Sequence, residues 1–423
     1  MTATTAAYHP SQRARWAAGQ PISQLMSRAL ENPELISLAA GFVDTDTLPV
    51  EPVRQALEAL RSDPGTMRGA LQYGTTPGYP RLRELLLQQT QDADGAGRRP
   101  AVEQVIVTAG SNQLLHLVSE SLLDPGDIVL CASPTYFVYT GVLEGLGARA
   151  IGVAGDEAGM IPEALVDTLH RLDQDGDLAR VKAVYLVPYF DNPAGITMPL
   201  PRRAAVVEIA KRWSRRERIH VISDEAYRLL RYAGEDIPST SVCDEEGDTV
   251  IVAGTFSKSF SPGCRVGWGL LPPDLIGPVL DQKGNVDFGS PSFNQHVMAK
   301  ILELGLFEPH VERIRAAYRR KLATMLDALG QHFAPLPGVR WLTPTGGLYV
   351  WVELPADLET GLNSPLFDAA VREGVLYVPG EYCYPRAGEP VRRNTLRLSF
   401  GVQTCELIRA GIEKLGRAIA AVA

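Results

Sequence analysis

The sequence lacks the features that define several large classes of protein. It has 5 cysteines in 423 residues, without a CxxC pair or a histidine at metal-ligand spacing, which argues against a zinc site or a disulfide framework. Basic residues are not in excess, since 41 Lys and Arg face 49 Asp and Glu, and the net charge of -8 argues against nucleic-acid binding. No apolar run is long enough for a membrane span, and residues 1–20 lack the apolar stretch of a secretory signal. We therefore expect a cytoplasmic protein with no metal and with neither nucleic-acid nor membrane partners.

The first two thirds of the chain alternate strand-like and helix-like segments. At 45% hydrophobic and 21% charged residues the composition is globular, and the length exceeds what one hydrophobic core usually serves. The alternation predicts an α/β domain with a mainly parallel sheet. Helices are predicted at 53–60, 114–123 and 202–213. Strands are predicted at 36–40, 105–108, 128–130, 150–153, 183–187, 220–223 and 250–253.

The last third has a different order of strand-like and helix-like segments, which predicts a second, smaller domain. A long helix-like stretch at 295–333 precedes strands at 339–342, 348–353, 375–378 and 395–400 and a closing helix from Cys405. These segments predict an α+β domain. We therefore divide the chain into an N-terminal arm, 1–48, that joins the small domain; a large domain, 49–294; and a small C-terminal domain, 295–423.

A lysine surrounded by hydroxyl groups follows the strand at 250–253. Lysine attacks an aldehyde only when its amine is neutral, and Arg265 near Lys258 is a cation that favours the neutral form. Thr255 and Ser257, together with the Arg265 guanidinium, also suit a phosphate dianion. Taken alone, the segment is equally compatible with a surface loop and a solvated lysine.

A carboxylate, Asp224, ends the strand at 220–223, where open α/β sheets bind ligands. Such a carboxylate suits the pyridine nitrogen of pyridoxal 5′-phosphate (PLP), whose protonated ring is an electron sink. Tyr227, three residues on, is placed to donate to the phenolic oxygen of that cofactor. The alternative for an isolated strand-end aspartate is a helix cap.

Two further segments follow strands and offer groups for the same ligand. Gly110, Ser111 and Asn112 precede a helix, where free backbone N–H groups bind phosphate. Serine and asparagine also begin helices without any ligand. Tyr136 is placed to lie flat on a pyridine ring, with a core aromatic as the alternative.

Asn192 and Arg397 complete the candidate set. Asn192 offers a hydrogen bond to the cofactor O3′ atom. The alternative is that the Asn-Pro pair only forms a turn and binds no ligand. Arg397 lies within an apolar strand, where an unpaired cation is costly, so a carboxylate partner is expected. That partner is either a protein side chain or the α-carboxylate of a substrate.

In this order, the motifs resemble those of class I/II aminotransferases of PLP fold type I, from about residue 36 to the C-terminus. The matching segments are 39–41, 72–74 with Gly78, 110–112, 192–195, 224–227, 257–258, 265–267, 346–347 and 394–397. Within this family, the motif sequences are most similar to those of the branch that holds the 2-aminoadipate, aromatic and kynurenine aminotransferases.

The resemblance implies a PLP-dependent enzyme that moves an amino group between an L-amino acid and a 2-oxo acid by a ping-pong mechanism. It implies that Lys258 is the Schiff-base lysine and carries the proton between the substrate Cα and the cofactor. It also implies a homodimer, in which Tyr73 reaches the phosphate of the neighbouring subunit's cofactor. Gly41 is expected to line the substrate pocket through its backbone.

Some residues depart from the family pattern and bear on specificity. Asp191 stands where glutamine is common, beside Asn192, and this predicts that acidic substrate side chains are disfavoured. Residues 21–30 resemble a mobile helix that covers the site; relatives taking dicarboxylic substrates often have a basic residue where this chain has Gln24, with Arg28 one helical turn later.

Two other functions stay open. The same fold and cofactor support elimination, decarboxylation or oxidative deamination in a specialised pathway. An aminotransferase-like regulatory domain needs a DNA-binding domain before residue 36, where we expect only a short arm.

Overall fold

The structure is a computed structural model that describes residues 8–19, 32, 34–95 and 100–422, so Gln24 and Arg28 lie outside the described residues. The helices are α1 (Gln12–Trp16), α2 (Val50–Arg61), α3 (Pro64–Ala70), α4 (Pro80–Asp94), α5 (Ser111–Leu122), α6 (Phe137–Leu146), α7 (Pro162–Gln174), α8 (Leu200–Trp213), α9 (Pro273–Asp287), α10 (Ser292–Glu303), α11 (Phe307–His332), α12 (Pro365–Glu373) and α13 (Cys405–Ala420). Among the residues described, none of the helices has both the length and the apolar character needed to cross a bilayer.

The strands form one large sheet, one small sheet and a separate pair. They are β1 (Ile36–Ser37), β2 (Val105–Thr108), β3 (Ile128–Ser133), β4 (Arg149–Asp156), β5 (Gly159–Met160), β6 (Val181–Leu186), β7 (His220–Asp224), β8 (Val250–Thr255), β9 (Gly267–Leu270), β10 (Arg340–Trp341), β11 (Tyr349–Glu353), β12 (Val375–Leu376), β13 (Val378–Pro379), β14 (Ala387–Gly388) and β15 (Thr395–Ser399). The strands predicted in the first two thirds are confirmed, with ends that differ by a few residues.

The large sheet has the order β14-β4-β3-β6-β7-β8-β9-β2, and the short strand β5 also pairs with β4. Neighbours from β14 to β8 are parallel, whereas β9 runs antiparallel to both β8 and β2. This is the predicted α/β class with a mainly parallel sheet.

Alternate residues along the central strands pack into two different cores. Val221 of β7 belongs to the core with α7, α8 and α10, and Ile222 belongs to the core with α5, α6 and α9. Because both faces are covered by helices, the strands consist of consecutive apolar residues rather than alternating ones. The covered faces leave the ends of the strands as the place for a ligand.

The small sheet has the antiparallel order β10-β11-β15-β13 and packs against α11 and α13. Ile36 and Leu38 pack in the same core, and β1 pairs with β12, so the segment after the N-terminal arm lies with the small sheet. The division at 48/49 and 294/295 stays a prediction. Helix α11 connects the cores, since Phe307 packs beside the large sheet and Ile314 beside the small one.

The single helix predicted at 295–333 is wrong. Helix α10 ends at Glu303 and α11 begins at Phe307. Between them Gly305 has a φ of +64°, a left-handed conformation that ends a helix and that glycine adopts without strain. Apolar residues are frequent on both sides of Gly305, at Leu304, Leu306 and Phe307, so hydrophobicity alone did not indicate the break.

Candidate active site

A cavity of about 380 Å³ lies where β6, β7 and β8 end and the small sheet approaches the large one. Most of the predicted site residues line it, namely Gly41, Ser111, Asn112, Tyr136, Asn192, Asp224, Tyr227, Thr255, Ser257, Lys258, Arg265 and Arg397. Gly110 directly precedes the lining residue Ser111. Tyr73 is not among the lining residues. Residues from both sheets therefore meet at one concave surface, the usual setting of a small-molecule site.

Lys258 lies three residues beyond β8, with its amine inside the cavity. Its Nζ donates a hydrogen bond to the Gly41 carbonyl oxygen at 2.9 Å. Thr255 Oγ1 donates to Ser257 Oγ at 2.9 Å and accepts from the Ser257 backbone N–H at 3.1 Å. The hydroxyls thus fix the turn that carries the lysine, while the amine donates to a neutral oxygen and pairs with no carboxylate among the described residues.

Asp224 ends β7 and is 4% exposed. Its Oδ2 accepts from the Tyr185 hydroxyl at 3.0 Å, and its Oδ1 accepts from the Ala226 N–H at 3.2 Å. Burial raises the pKa of Asp224 to about 6, although these hydrogen bonds and the charge of Lys258 oppose the rise. A cation bound beside this carboxylate would favour its ionised form.

The turn before α5 is built for close approach. Gly110 is the N-cap of α5 with a φ of +87°, which glycine adopts without strain. Gly267 passes so near that a Cβ there would lie 2.5 Å from the Gly110 carbonyl carbon. Arg265 Nη2 donates to the Ala109 carbonyl at 2.8 Å, and Arg265 itself has a φ of +48°. The first N–H groups of α5 are without helical acceptors, a setting that suits an anion.

Arg397, on β15, is 2% exposed. Its Nη1 donates to Asn192 Oδ1 and its Nη2 to the Ala39 carbonyl, each at 2.7 Å, and its Nε has no hydrogen-bond partner among the described residues. The protein partners are thus neutral oxygens, so the full charge of this buried guanidinium is available to an anionic ligand. Because the Asn192 oxygen is engaged, its Nδ2 is the group left to donate.

The side chain of Asp191 does not enter this cavity. Its Oδ1 accepts from the Ile196 N–H at 2.7 Å, and it lines a larger cleft of about 710 Å³ with Trp341 and Trp351. Burial raises the pKa of Asp191 to about 7, against the backbone hydrogen bonds that lower it. The prediction that Asp191 repels acidic substrates was based on its adjacency to Asn192 in sequence. That basis is lost, because the two side chains line different cavities.

The cavity also has walls that the sequence analysis did not identify. They are Phe42, Phe137, Val138, Val187, Ala226, Pro262 and Tyr349. Tyr349 lies on β11, among consecutive apolar residues that do not mark it as a cavity residue. Tyr349 is two residues from Trp351, which lies opposite Arg397, and the sequence did not specify this register between β11 and β15.

Tyr73 lies on the outer surface at 83% exposure, edge-on to Phe288 with ring centroids 5.9 Å apart. Thr76 Oγ1 donates to the Phe288 carbonyl at 3.0 Å, which joins the two segments. Leu71 and Val286, on the same two segments, are also exposed. We refer to Leu71, Tyr73, Val286 and Phe288 as the apolar patch.

The groups around the cavity fit PLP. An amine at 258 suits its aldehyde, and the carboxyl of Asp224, whose pKa is raised by burial, suits a protonated pyridine nitrogen. Backbone N–H groups at the start of α5, close to Arg265, suit its phosphate. The buried Arg397 guanidinium lines the cavity and donates to two neutral oxygens, so its charge suits a further anion, the carboxylate of an amino acid.

Known proteins are similar to this chain over nearly its whole length. The aromatic-amino-acid aminotransferase 1 of Thermococcus litoralis is 33% identical over 97% of this chain and 93% of its own length. The 2-aminoadipate transaminase of Thermus thermophilus is 33% identical over 92% of this chain and 91% of its own length. The solved structure of kynurenine aminotransferase from Pyrococcus horikoshii, in complex with PMP, has a TM-score of 0.89 and 33% identity and covers 98% of this chain and 97% of that one.

These relatives agree with the family model described as "Aminotransferase class I and II", which matches residues 33–415. The fold is fold type I and the cofactor is PLP, as the sequence predicted. The chain therefore belongs to the class I and II aminotransferases, enzymes that transfer amino groups with the help of PLP.

Proposed function

We propose that Lys258 holds PLP covalently and that the cavity around it performs both halves of amino transfer between an L-amino acid and a 2-oxo acid. The observation that carries the proposal is that an amine, a buried carboxyl and a phosphate-binding helix start line the same cavity. These are Lys258, Asp224 and the turn 110–112. If these three groups lay on separate surfaces, they could not bind one cofactor molecule together.

The remaining cofactor contacts are distributed over the strand ends. Arg265 and Ser257 bind the phosphate together with the N–H groups that begin α5. Asn192 and Tyr227 donate to the phenolic oxygen. Tyr136 covers one face of the ring. The support for these assignments is that each side chain lines the cavity.

PLP supplies the electron sink that stabilises the substrate after its α-proton leaves. Asp224 keeps the ring nitrogen protonated. Arg397 binds the substrate carboxylate and so fixes the orientation of the α-carbon. Lys258 Nζ accepts the α-proton as a general base and donates it again as a general acid. The second half-reaction, with a 2-oxo acid, uses the same groups in reverse.

We infer that the amino donor has an aromatic or large apolar side chain. Phe42, Phe137 and Tyr349 line the cavity, and Val138 and Val187 add further apolar surface. Relatives named for aromatic amino acids and for kynurenine have the same architecture. An apolar side chain gains free energy by leaving water for such walls.

A single-turnover experiment tests this function. The holoenzyme is mixed with phenylalanine, tyrosine, kynurenine, 2-aminoadipate or aspartate, and cofactor absorbance is followed. We expect conversion to the pyridoxamine form, fastest with aromatic donors and reversed by 2-oxoglutarate. Stoichiometric ammonia, CO₂ or peroxide would instead establish one of the other PLP reactions.

The Arg397→Ala variant is expected to raise KM for the amino donor about 10- to 100-fold. The physical reason is the loss of charge-assisted hydrogen bonds to the carboxylate, worth about 1.5–3 kcal/mol. Steady-state kinetics measure the change, and circular dichroism checks the fold. Arg397→Lys is the matched control, because it keeps the charge but not the planar fork, and should give an intermediate KM. An unchanged KM in Arg397→Ala would remove this residue from the substrate site.

We propose further that the enzyme is a homodimer and that Tyr73 of each subunit reaches the phosphate of its partner's cofactor. The apolar patch supports this, since large exposed apolar side chains in contact favour association. Tyr73 faces outward and does not line the cavity of its own chain. Tyr73 is therefore available to contact the cofactor of a second subunit.

The Tyr73→Phe variant is expected to weaken PLP binding by about tenfold, through the loss of one charge-assisted hydrogen bond. Its sedimentation coefficient should stay that of a dimer, because the aromatic ring remains. Titration of apoenzyme with PLP measures the affinity, and Tyr8→Phe, in the exposed N-terminal arm, is the control. Wild-type affinity in Tyr73→Phe, or a monomeric wild-type protein, would contradict the cross-subunit contact.

We propose that the protein works in the cytoplasm. All five cysteines are free thiols, and Cys131 and Cys383 are buried. Free thiols are typical of reducing compartments.

A further inference from the structure

Tyr349 is a cavity residue whose hydroxyl has no role in the proposed function. It is 2% exposed and lies two residues after Gly347. Strand β11 pairs with β15 so that Trp351 lies opposite Arg397, and Tyr349 is two residues away on the same face. The Arg397 guanidinium carbon lies 4.2 Å from the centre of the Tyr349 ring. The ring therefore supports the cation assigned to the substrate carboxylate.

The hydroxyl of Tyr349 lies where three other site residues meet. Its Oη is 3.3 Å from the Tyr227 Oη, and the two rings are edge-on with centroids 5.9 Å apart. A Cβ on Gly41 would lie 2.6 Å from the same oxygen, and the Gly41 carbonyl accepts from Lys258. A buried phenol in this position has Tyr227 as its hydrogen-bond partner within the site.

The two phenols lie in different electrostatic surroundings. Burial alone raises the pKa of Tyr349, but the charges of Arg397 and Lys258 and the hydrogen bond with Tyr227 outweigh it and hold the pKa below its ordinary value. Burial and the neighbouring Tyr349 raise the pKa of Tyr227 well above its ordinary value. Each hydroxyl has one proton, and the proposed function assigns that of Tyr227 to the cofactor, so the 3.3 Å hydrogen bond between the two hydroxyls is donated by Tyr349.

We propose that Tyr349 is a positioning residue whose hydroxyl donates to Tyr227 Oη and so directs the Tyr227 proton into the cavity. This inference rests on the proposed function, which assigns that proton to the phenolic oxygen of the cofactor. Two hydroxyls in series make Tyr227 a stronger donor than it would be alone. The ring of Tyr349 supports Arg397, whereas its hydroxyl binds Tyr227. A substitution that removes only the hydroxyl therefore separates the two roles.

The test compares Tyr349→Phe, Tyr227→Phe, the double variant and the wild type as holoenzymes. Phenylalanine keeps the ring against Arg397 and removes only the hydroxyl. The main readout is the pH midpoint of the visible absorbance of the lysine-bound cofactor. A weaker donor at the phenolic oxygen favours the protonated form, so each single variant should raise the midpoint. We expect a rise of about half to one pH unit for Tyr349→Phe and a larger one for Tyr227→Phe.

The double variant should have the same midpoint as Tyr227→Phe, because Tyr349 acts through Tyr227. Tyr349→Phe should also lower kcat a few fold with little change in KM for the amino donor, since Arg397 keeps its support. Tyr377→Phe removes a buried hydroxyl that donates to the Thr360 carbonyl outside the cavity, and it should leave the midpoint unchanged.

The outcomes separate this inference from the proposed function. If Tyr227→Phe moves the midpoint and Tyr349→Phe does not, or if the two shifts add in the double variant, the relay is overturned and the role of Tyr227 stands. If Tyr227→Phe leaves the midpoint unchanged, the proposed role of Tyr227 is wrong and the inference falls with it.

Discussion

Replacing Lys258 with alanine is expected to lower the rate of amino transfer by about 10⁴-fold or more and to remove the visible absorbance of the lysine-bound cofactor. The amine has two tasks in the proposed function, which are to hold the cofactor and to move the α-proton. Its surroundings suit both, because Lys258 lines the cavity and, within the part of the chain that the structure describes, its Nζ donates only to the neutral carbonyl of Gly41. Alanine supplies no group for either task. Stopped-flow absorbance and product assays measure the two losses separately.

Lys414→Ala, on α13 and outside the cavity, is the matched control and should behave as the wild type. Methylamine added to the Lys258→Ala variant should restore part of the activity, because a soluble amine can carry the proton that Nζ carried. Such rescue shows that the variant is folded. A variant that keeps both the absorbance and the wild-type rate would refute the assignment of Lys258.

Replacing Asp224 with asparagine is expected to lower kcat by about 10³-fold while the fold is retained, an effect typical of losing one preorganised charge in an active site. Asparagine has the same shape and can accept from Tyr185, but it cannot stabilise a protonated ring nitrogen. Asp224→Glu keeps the charge and should retain more activity than Asp224→Asn. Steady-state kinetics and thermal unfolding distinguish a chemical loss from a loss of stability.

The pH dependence of PLP binding provides an independent check on Asp224. Burial raises the pKa of Asp224 to about 6 in the cofactor-free protein, so the carboxylate is ionised above that pH and protonated below it. Only the ionised form pairs with a pyridinium, and the affinity of the apoenzyme should therefore fall as the pH drops below about 6. Asp224→Asn should lack this dependence. Equal pH profiles for the two proteins, or wild-type kcat in the variant, would contradict the role.

The large sheet was predictable because its strands are buried on both faces. Consecutive apolar residues, as in β7 and β8, indicate such strands directly, and helical segments between them imply parallel neighbours. Strand β9 was missed because Gly267 and Gly269 make it poor in β-forming residues. Its place is fixed instead by packing, since Cβ atoms there would meet Gly110 and Leu114. Strand β14 is two residues long and depends on pairing with β4.

The site was predictable where its residues follow strand ends. Asp224, Lys258 and Asn192 lie beyond parallel strands, whose carboxyl ends meet at one edge, and all three line the cavity. Tyr349 and Phe137 were not identified, because each has a sequence context typical of a core residue. Their presence at the cavity depends on how the small sheet packs against the large one. Asp191 was misplaced for the opposite reason. It is adjacent to Asn192 in sequence, but its side chain lines a different cleft.

The central claim is that Lys258 is the residue to which the cofactor is bound. Reduction of the holoenzyme with sodium borohydride, followed by proteolysis and mass spectrometry, fixes the cofactor to whichever amine holds it. We predict one phosphopyridoxyl group per chain, on the peptide that contains Lys258. A label on another lysine, or no covalent label in a protein that binds PLP stoichiometrically, would contradict the account.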